Sequence, residues 1–303
     1  MTDTLERRPL GRTGRTIPVL ALGCVTFGRE IGEEDSYRVM DYAIENGLNF
    51  FDTAEGYGGG NSRTLRRDSL GIDDEREKTG EMHSSEMVVG RWLRKTGVRK
   101  DITLMTKFNS GGTAENVHRA LRDSLERLGT DHVDIYKLHR PYPETPMDET
   151  LGALAEEVSE GRAEVIGCSQ HSGDQLREAL EISRTRGWPR FEIAQPGYNL
   201  GMRDDENDML PFCIKEGIAV TPFSPLGAGF FTGKYTPNRA DIPKGTRFDI
   251  MPQHANIYFN DRNFRIVDRL RSKAAELGVP MTRLAMAWTM SNPAITTILV
   301  GAR

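Results

Sequence analysis

Eight short apolar runs, separated by amphipathic stretches, constrain this chain more than any other feature. The runs are "VLALGC" (19–24), "LNFFDT" (48–53), "ITLMTK" (102–107), "VDIYKLH" (133–139), "AEVIGCS" (163–169), "FEIAQP" (191–196), "IAVTPFS" (218–224) and "TTILVG" (296–301). The stretches between them carry helical spacing. In "EEDSYRVMDYAIENG" (33–47), Tyr37, Met40, Ala43 and Ile44 share one face and Gly47 ends the pattern. "AENVHRALRDSLERLG" (114–129) repeats it with Val117, Leu121, Leu125 and Leu128. Strand followed by helix, repeated, predicts βαβ units and a parallel sheet. Eight such units predict a closed (β/α)8 TIM barrel of the α/β class rather than an open sheet. The 303 residues suffice for one barrel, so a single domain over 1–303, ending after strand eight, is expected.

Three segments interrupt the rhythm. "RRPLGRTGRTIPVL" (7–20) places a Gly-Arg-Thr-Gly turn between extended runs and predicts a β-hairpin ahead of the barrel. Residues 59–83 are polar and glycine-rich, with little apolar content to anchor them, and are expected to form a mobile flap or an oligomer contact. A homo-oligomer is therefore one open outcome. Residues 227–259 read as a long loop after strand seven. Both insertions leave the C-terminal ends of strands, the side on which barrels build active sites.

Charge and cysteine usage remove several classes of function. With 40 basic and 44 acidic side chains, a formal charge of −4 and no polybasic tail, the chain offers no electrostatic case for nucleic acid. The start, "MTDTLERRPL", lacks the apolar core of a signal peptide, and no run of about 18 apolar residues could span a membrane. Cys24, Cys168 and Cys213 are odd in number, far apart and never in a C-x-x-C pair, so neither a disulfide framework nor a metal site is indicated. A soluble, cytoplasmic protein is the expectation.

The candidate chemistry sits where strands end. Asp52 follows strand two, Lys107 ends strand three and His139 ends strand four, so all three open on one mouth of a parallel barrel. Tyr57 lies five residues beyond Asp52, and Gly56, Gly58, Gly59 and Gly60 let its loop turn back over that mouth. A phenol of pKa about 10 is a weak acid at neutral pH, but a neighbouring ammonium makes its proton easier to release. Asp52 would hold that ammonium charged, and His139 would hydrogen-bond a substrate oxygen. Such a set polarises and protonates a carbonyl as hydride arrives. Singly, each residue has a plainer role: a cap, a solvated rim charge, a packed ring, a structural histidine. Their placement on successive strand ends argues for the shared one. Two phosphate-loop look-alikes fail: "GAGFFTGKY" has Ala228 where a glycine is needed, and "GYGGGN" has Asn61 at the third glycine position.

"FDTAEGYG", "LMTKF" and "YKLHRP" resemble the Asp-Tyr-Lys-His signature of the aldo-keto reductase family, and the likeness runs from the hairpin to "LVGAR". "VTFG" (25–28), "SLERLGTDHVDI" (124–135) and "TPMDET" (145–150) are most similar to the branch holding potassium-channel β-subunits and their bacterial relatives. The resemblance implies Tyr57 as general acid, Lys107 as its pKa modulator, Asp52 as the lysine's partner and His139 as the group orienting substrate. It implies NADPH as cofactor and a small aldehyde or ketone, reduced to the alcohol, as substrate. Ser169 and Gln170 match the segment contacting the nicotinamide carboxamide, although the family usually has Asn or Arg where Gln170 stands. Gln195 matches the second carboxamide contact. Phe223 matches the aromatic stacked on nicotinamide, with Ser224, Pro225 and Leu226 under the pyrophosphate. Lys234 and Arg247 resemble the cations closing over the diphosphate, and Gly301 and Arg303 match the start of the adenosine-phosphate segment. Family members continue into a last helix, so a chain ending at Arg303 is expected to bind NADPH weakly and with little preference over NADH. A second function, a nicotinamide-binding regulatory subunit with residual reductase chemistry, is implied by the channel β-subunits. Those carry Asn at the position of His139, which favours the enzyme.

Overall fold

The computed structural model describes residues 5–301. Arg7–Pro9 (β1) and Thr16–Pro18 (β2) pair antiparallel, and Gly11 and Gly14 between them take the positive φ that glycine tolerates. The hairpin lies across one end of the barrel. Leu10 and Ile17 are buried in the barrel's interior cluster, and Arg8 Nη1 donates to Ile295 O at 2.7 Å.

The eight expected strands form one parallel sheet: Leu20–Gly23 (β3), Phe50–Asp52 (β4), Thr103–Phe108 (β5), Val133–Leu138 (β6), Ala163–Ser169 (β7), Phe191–Gln195 (β8), Ala219–Val220 (β9) and Ile298–Gly301 (β10). Their order is β10-β3-β4-β5-β6-β7-β8-β9, every neighbouring pair parallel. The two edges meet through Thr296 N to Val220 O at 2.9 Å and Leu299 N to Pro222 O at 3.4 Å, closing the (β/α)8 barrel. Strand seven is shorter than its apolar run, because Pro222 has no N–H to donate and Ser224 turns left-handed (φ 55°).

Period-two alternation sorts the strand side chains. Ala21, Phe50, Met105, Ile135, Val165, Ile193, Ala219 and Leu299, one from each strand, fill the interior. Their neighbours Leu22, Phe51, Leu104, Tyr136, Ile166, Ala194, Val220 and Ile298 face outward into the core shared with the helices. Among those helices are Glu33–Glu45 (α1), Gly59–Leu70 (α2), Ser84–Thr96 (α3) and Ala114–Leu128 (α4). Thr113 caps α4 by accepting from Asn116 N, and Gly129 ends it in the left-handed conformation.

The two insertions are not loose. Residues 59–83 begin with α2, whose Arg66 is fully buried, bonds Glu77 at 2.8 Å and donates to Ile250 O at 2.9 Å. Lys78 N and Thr79 N donate to Arg29 O and Gly28 O, both at 3.0 Å. A Cβ on Gly59 would stand 1.8 Å from Thr79 O, so only glycine permits this approach. The expected mobile flap is thus a docked segment. Residues 227–259 likewise hold a cluster of their own, in which Phe230, Phe231, Tyr235, Phe248 and Tyr258 are buried. Both segments and the loop after β3 interlock on the mouth side of the barrel.

Candidate active site

The strand ends bring the four expected residues together. Asp52 is the last residue of β4 and Lys107 the fifth of β5, both inward and almost wholly buried. Lys107 Nζ donates to Asp52 Oδ1 and to Thr53 O, each at 2.6 Å. The loop after β4 carries Tyr57 back over this pair, and Nζ lies 4.6 Å from the phenol's ring centroid. His139 follows β6, anchored by His139 N donating to Phe108 O at 3.0 Å. Its ring meets that of Tyr57 edge-on, with centroids 5.3 Å apart.

Burial and charge compete at each group. Burial works against the Lys107 ammonium, but Asp52 and then Tyr57 outweigh it and hold the pKa above 10.5. The cation that the sequence reading requires is therefore present at neutral pH. The phenol departs from expectation. Burial raises Tyr57, Lys107 pulls it down, Asp52 raises it again, and the outcome is above the ordinary value. Lys107 thus offsets the desolvation of Tyr57 without producing a phenolate at neutral pH, and the tyrosine stays a proton donor. His139 is pushed well below 6.5, first by burial and then by Lys107, so it is a neutral imidazole; its Nδ1 has no hydrogen-bond partner.

The residues matched to a cofactor line the same mouth. Ser169 ends β7 and its Oγ donates to Gln195 O at 2.9 Å. Gln195 ends β8, buried, with Nε2 3.4 Å from Asp52 Oδ2. Gln170 is exposed and left-handed (φ 59°), and its Nε2 donates to His139 O at 2.9 Å. Phe223 is half-buried against the interior cluster. Ser224 follows in the left-handed region, Pro225 is buried, and Leu226 packs on the aromatic cluster of residues 227–259. Lys234 is exposed beside the Tyr235 ring, 5.2 Å from its centroid. Arg247 is held by Glu30 at 2.9 Å; burial and the neighbouring Arg29 lower it to about 10. Gly301 ends β10 and is exposed; Arg303 lies outside the described residues. Non-glycine residues at positive φ are uncommon and cluster at functional sites. Two of them, Gln170 and Ser224, flank the polar Ser169–Gln195 pair and the Phe223 ring, an arrangement that fits an aromatic carboxamide.

Lys137 and the Arg29–Glu30 pair went unmarked in the sequence. Lys137 was findable, since it precedes His139 by two and must share its inward face. Glu30 was not, because only the docking of residues 227–259 brings Arg247 to it. Among the described residues, no group of three or more His, Cys, Asp and Glu could hold a metal ion, and no helix is long and apolar enough to cross a membrane.

Comparison with known proteins places the whole barrel in one family. The model for the Aldo/keto reductase family matches residues 19–303. A probable voltage-gated potassium channel subunit beta from Oryza sativa subsp. japonica is 32% identical, over 98% of this chain and 87% of its own length. The uncharacterized oxidoreductase YrpG of Bacillus subtilis (strain 168) is 29% identical, over 99% and 87%. The versiconal hemiacetal acetate reductase of Aspergillus parasiticus is 26% identical, over 95% and 86%.

Proposed function

This chain belongs to the aldo/keto reductase family, and on that premise we propose that it is a cytoplasmic reductase taking hydride from NADPH to turn a small aldehyde or ketone into an alcohol. The observation carrying the proposal is the Asp52–Lys107 ion pair lying 4.6 Å beneath the Tyr57 ring, with a neutral His139 beside it. When bound, the dinucleotide supplies the hydride. Ser169, Gln170 and Gln195 would hold its carboxamide, Phe223 its ring and the Ser224–Leu226 turn with Lys234 and Arg247 its diphosphate, while Gly301 and Arg303 would begin the stretch of chain that meets its adenosine phosphate. Tyr57 donates its proton to the substrate oxygen as that oxygen gains charge, and Lys107 stabilises the phenolate left behind. His139 orients the same oxygen by a hydrogen bond. Asp52 keeps Lys107 charged. The three cysteines are buried and free, which suits a reducing compartment.

The name of the rice relative favours a second reading, a nicotinamide-binding regulatory subunit. A panel of aldehydes, ketones and quinones, followed by loss of NADPH absorbance, separates the two. Binding of NADPH without reduction of any substrate would leave the regulatory reading. His139→Asn should lower kcat/KM by about 10²-fold through loss of the orienting group, with the melting temperature little changed. Because His139 stays neutral, its titration should leave no inflection in the wild-type profile between pH 5 and 8; one that vanishes in His139→Asn would contradict the neutral assignment.

A further inference from the structure

Two lysines, not one, point into the barrel beneath Tyr57. Lys137 is fully buried and stands in direct register with Lys107 on the adjacent strand. In the layer formed by Asp52, Lys107, Lys137 and Gln195, Asp52 is the one carboxylate, and Lys107 occupies its Oδ1. Lys137 turns the other way. Its register partner on β7 is Gly167, which puts no side chain in the path, and Nζ reaches Gln195 Oε1 on β8 at 2.7 Å. An ammonium can only donate, so it fixes the amide with its oxygen toward Lys137 and its Nε2 toward Asp52 Oδ2, at 3.4 Å. The result is a line of contacts, Lys137–Gln195–Asp52–Lys107, ending under Tyr57. A methionine would fill the same space without the cost of burying an amine against a neutral partner.

We propose that Lys137 is a positioning residue of this centre, orienting Asp52 through Gln195 and setting by its own charge how readily Tyr57 gives up its proton. The groups facing it are Asp52 on β4, Lys107 on β5, Gln195 on β8 and His139 just beyond the end of its own strand; the Cys168 thiol of β7, in the outer core, is its other titratable neighbour. Burial lowers Lys137 to about 7; Asp52 opposes that shift and Lys107 adds to it. The charge of the layer therefore changes by one across neutral pH. Below that point the extra cation favours phenolate, so Tyr57 protonates substrate more easily.

The half of the proposal that concerns Tyr57 rests on the carbonyl-reductase reading; the titration and the Asp52 contact do not. Protein carrying lysine labelled with carbon-13 at Cε should show one resonance titrating near neutral pH, absent from Lys137→Met. Melting gives a second readout. Unfolded, Lys137 keeps its proton up to 10.5, so between about 7 and 10.5 the folded state binds fewer protons and stability rises with pH. Lys137→Met should remove that rise and melt above wild type below pH 7. In the reduction assay, wild-type kcat/KM should fall at least about threefold as pH rises through neutral. Lys137→Met should be flat at the lower level and Lys137→Arg flat near the upper one. If no lysine titrates below pH 9, or if Lys137→Met keeps the wild-type pH profile, the proposal is overturned. Protein that reduces no carbonyl yet shows the neutral lysine overturns the reductase reading alone.

Discussion

Tyr57→Phe should lower kcat for carbonyl reduction by about 10³-fold or more, while dinucleotide binding stays within about twofold of wild type. The phenylalanine ring keeps what the tyrosine ring contributes to structure, the edge contact with His139 and the face toward Lys107, so the loss falls on the hydroxyl. Lys107 keeps Asp52 and Thr53 O in the variant, and the buried ion pair is not orphaned. The pH dependence follows from the same group. Because the phenol is raised above 10, it remains protonated and able to donate through the neutral range. Reduction should lose nothing to this group until the pH passes 10, and the reverse oxidation, which needs phenolate, should rise there. Stopped-flow turnover of the variant, with fluorescence titration of cofactor, checks both halves. Near wild-type turnover on a good substrate would mean that another donor delivers the proton.

The barrel was legible because a parallel strand's burial on both faces writes an apolar run, and eight runs alternating with helical spacing admit few topologies. The four residues over the mouth were legible for a related reason: they end strands or follow them, where the pattern fixes which face they take. Electrostatic balance was not. The reading from Asp52, Lys107 and Tyr57 gave a phenol made more acidic, whereas burial, a property of the finished roof, leaves it less acidic than free tyrosine. The polar insertion misled in the same way. Arg66 among nine other charges in residues 63–78 looks like a solvated segment, and nothing local marks that guanidinium as the one that is buried. Its partners Glu77 and Ile250 O lie 11 and 184 residues away.

That burial carries the second large expectation, because Arg66 joins two insertions that the chain order keeps apart. Its Nη1 donates to Ile250 O while Nη2 bonds Glu77, whose own carboxylate is buried. Arg76 repeats the tie by donating to Asp249 O at 2.6 Å, and the segment so held carries Arg247, paired with Glu30. Arg66→Met would leave the Glu77 carboxylate buried without its cation and the Ile250 carbonyl without its donor. A broken buried pair costs about 3–5 kcal/mol, well above the effect of an exposed one. Lysine should rescue little, since one ammonium cannot reach Ile250 O and Glu77 along the diverging arms of a guanidinium. The melting temperature should fall by several degrees, and limited proteolysis should cut near residues 71–83 and 239–254 in the variant but not in wild type. The alternative, a flap that only shapes substrate choice, predicts an unchanged melting curve with an altered substrate range, and that outcome would undo the structural role given to Arg66.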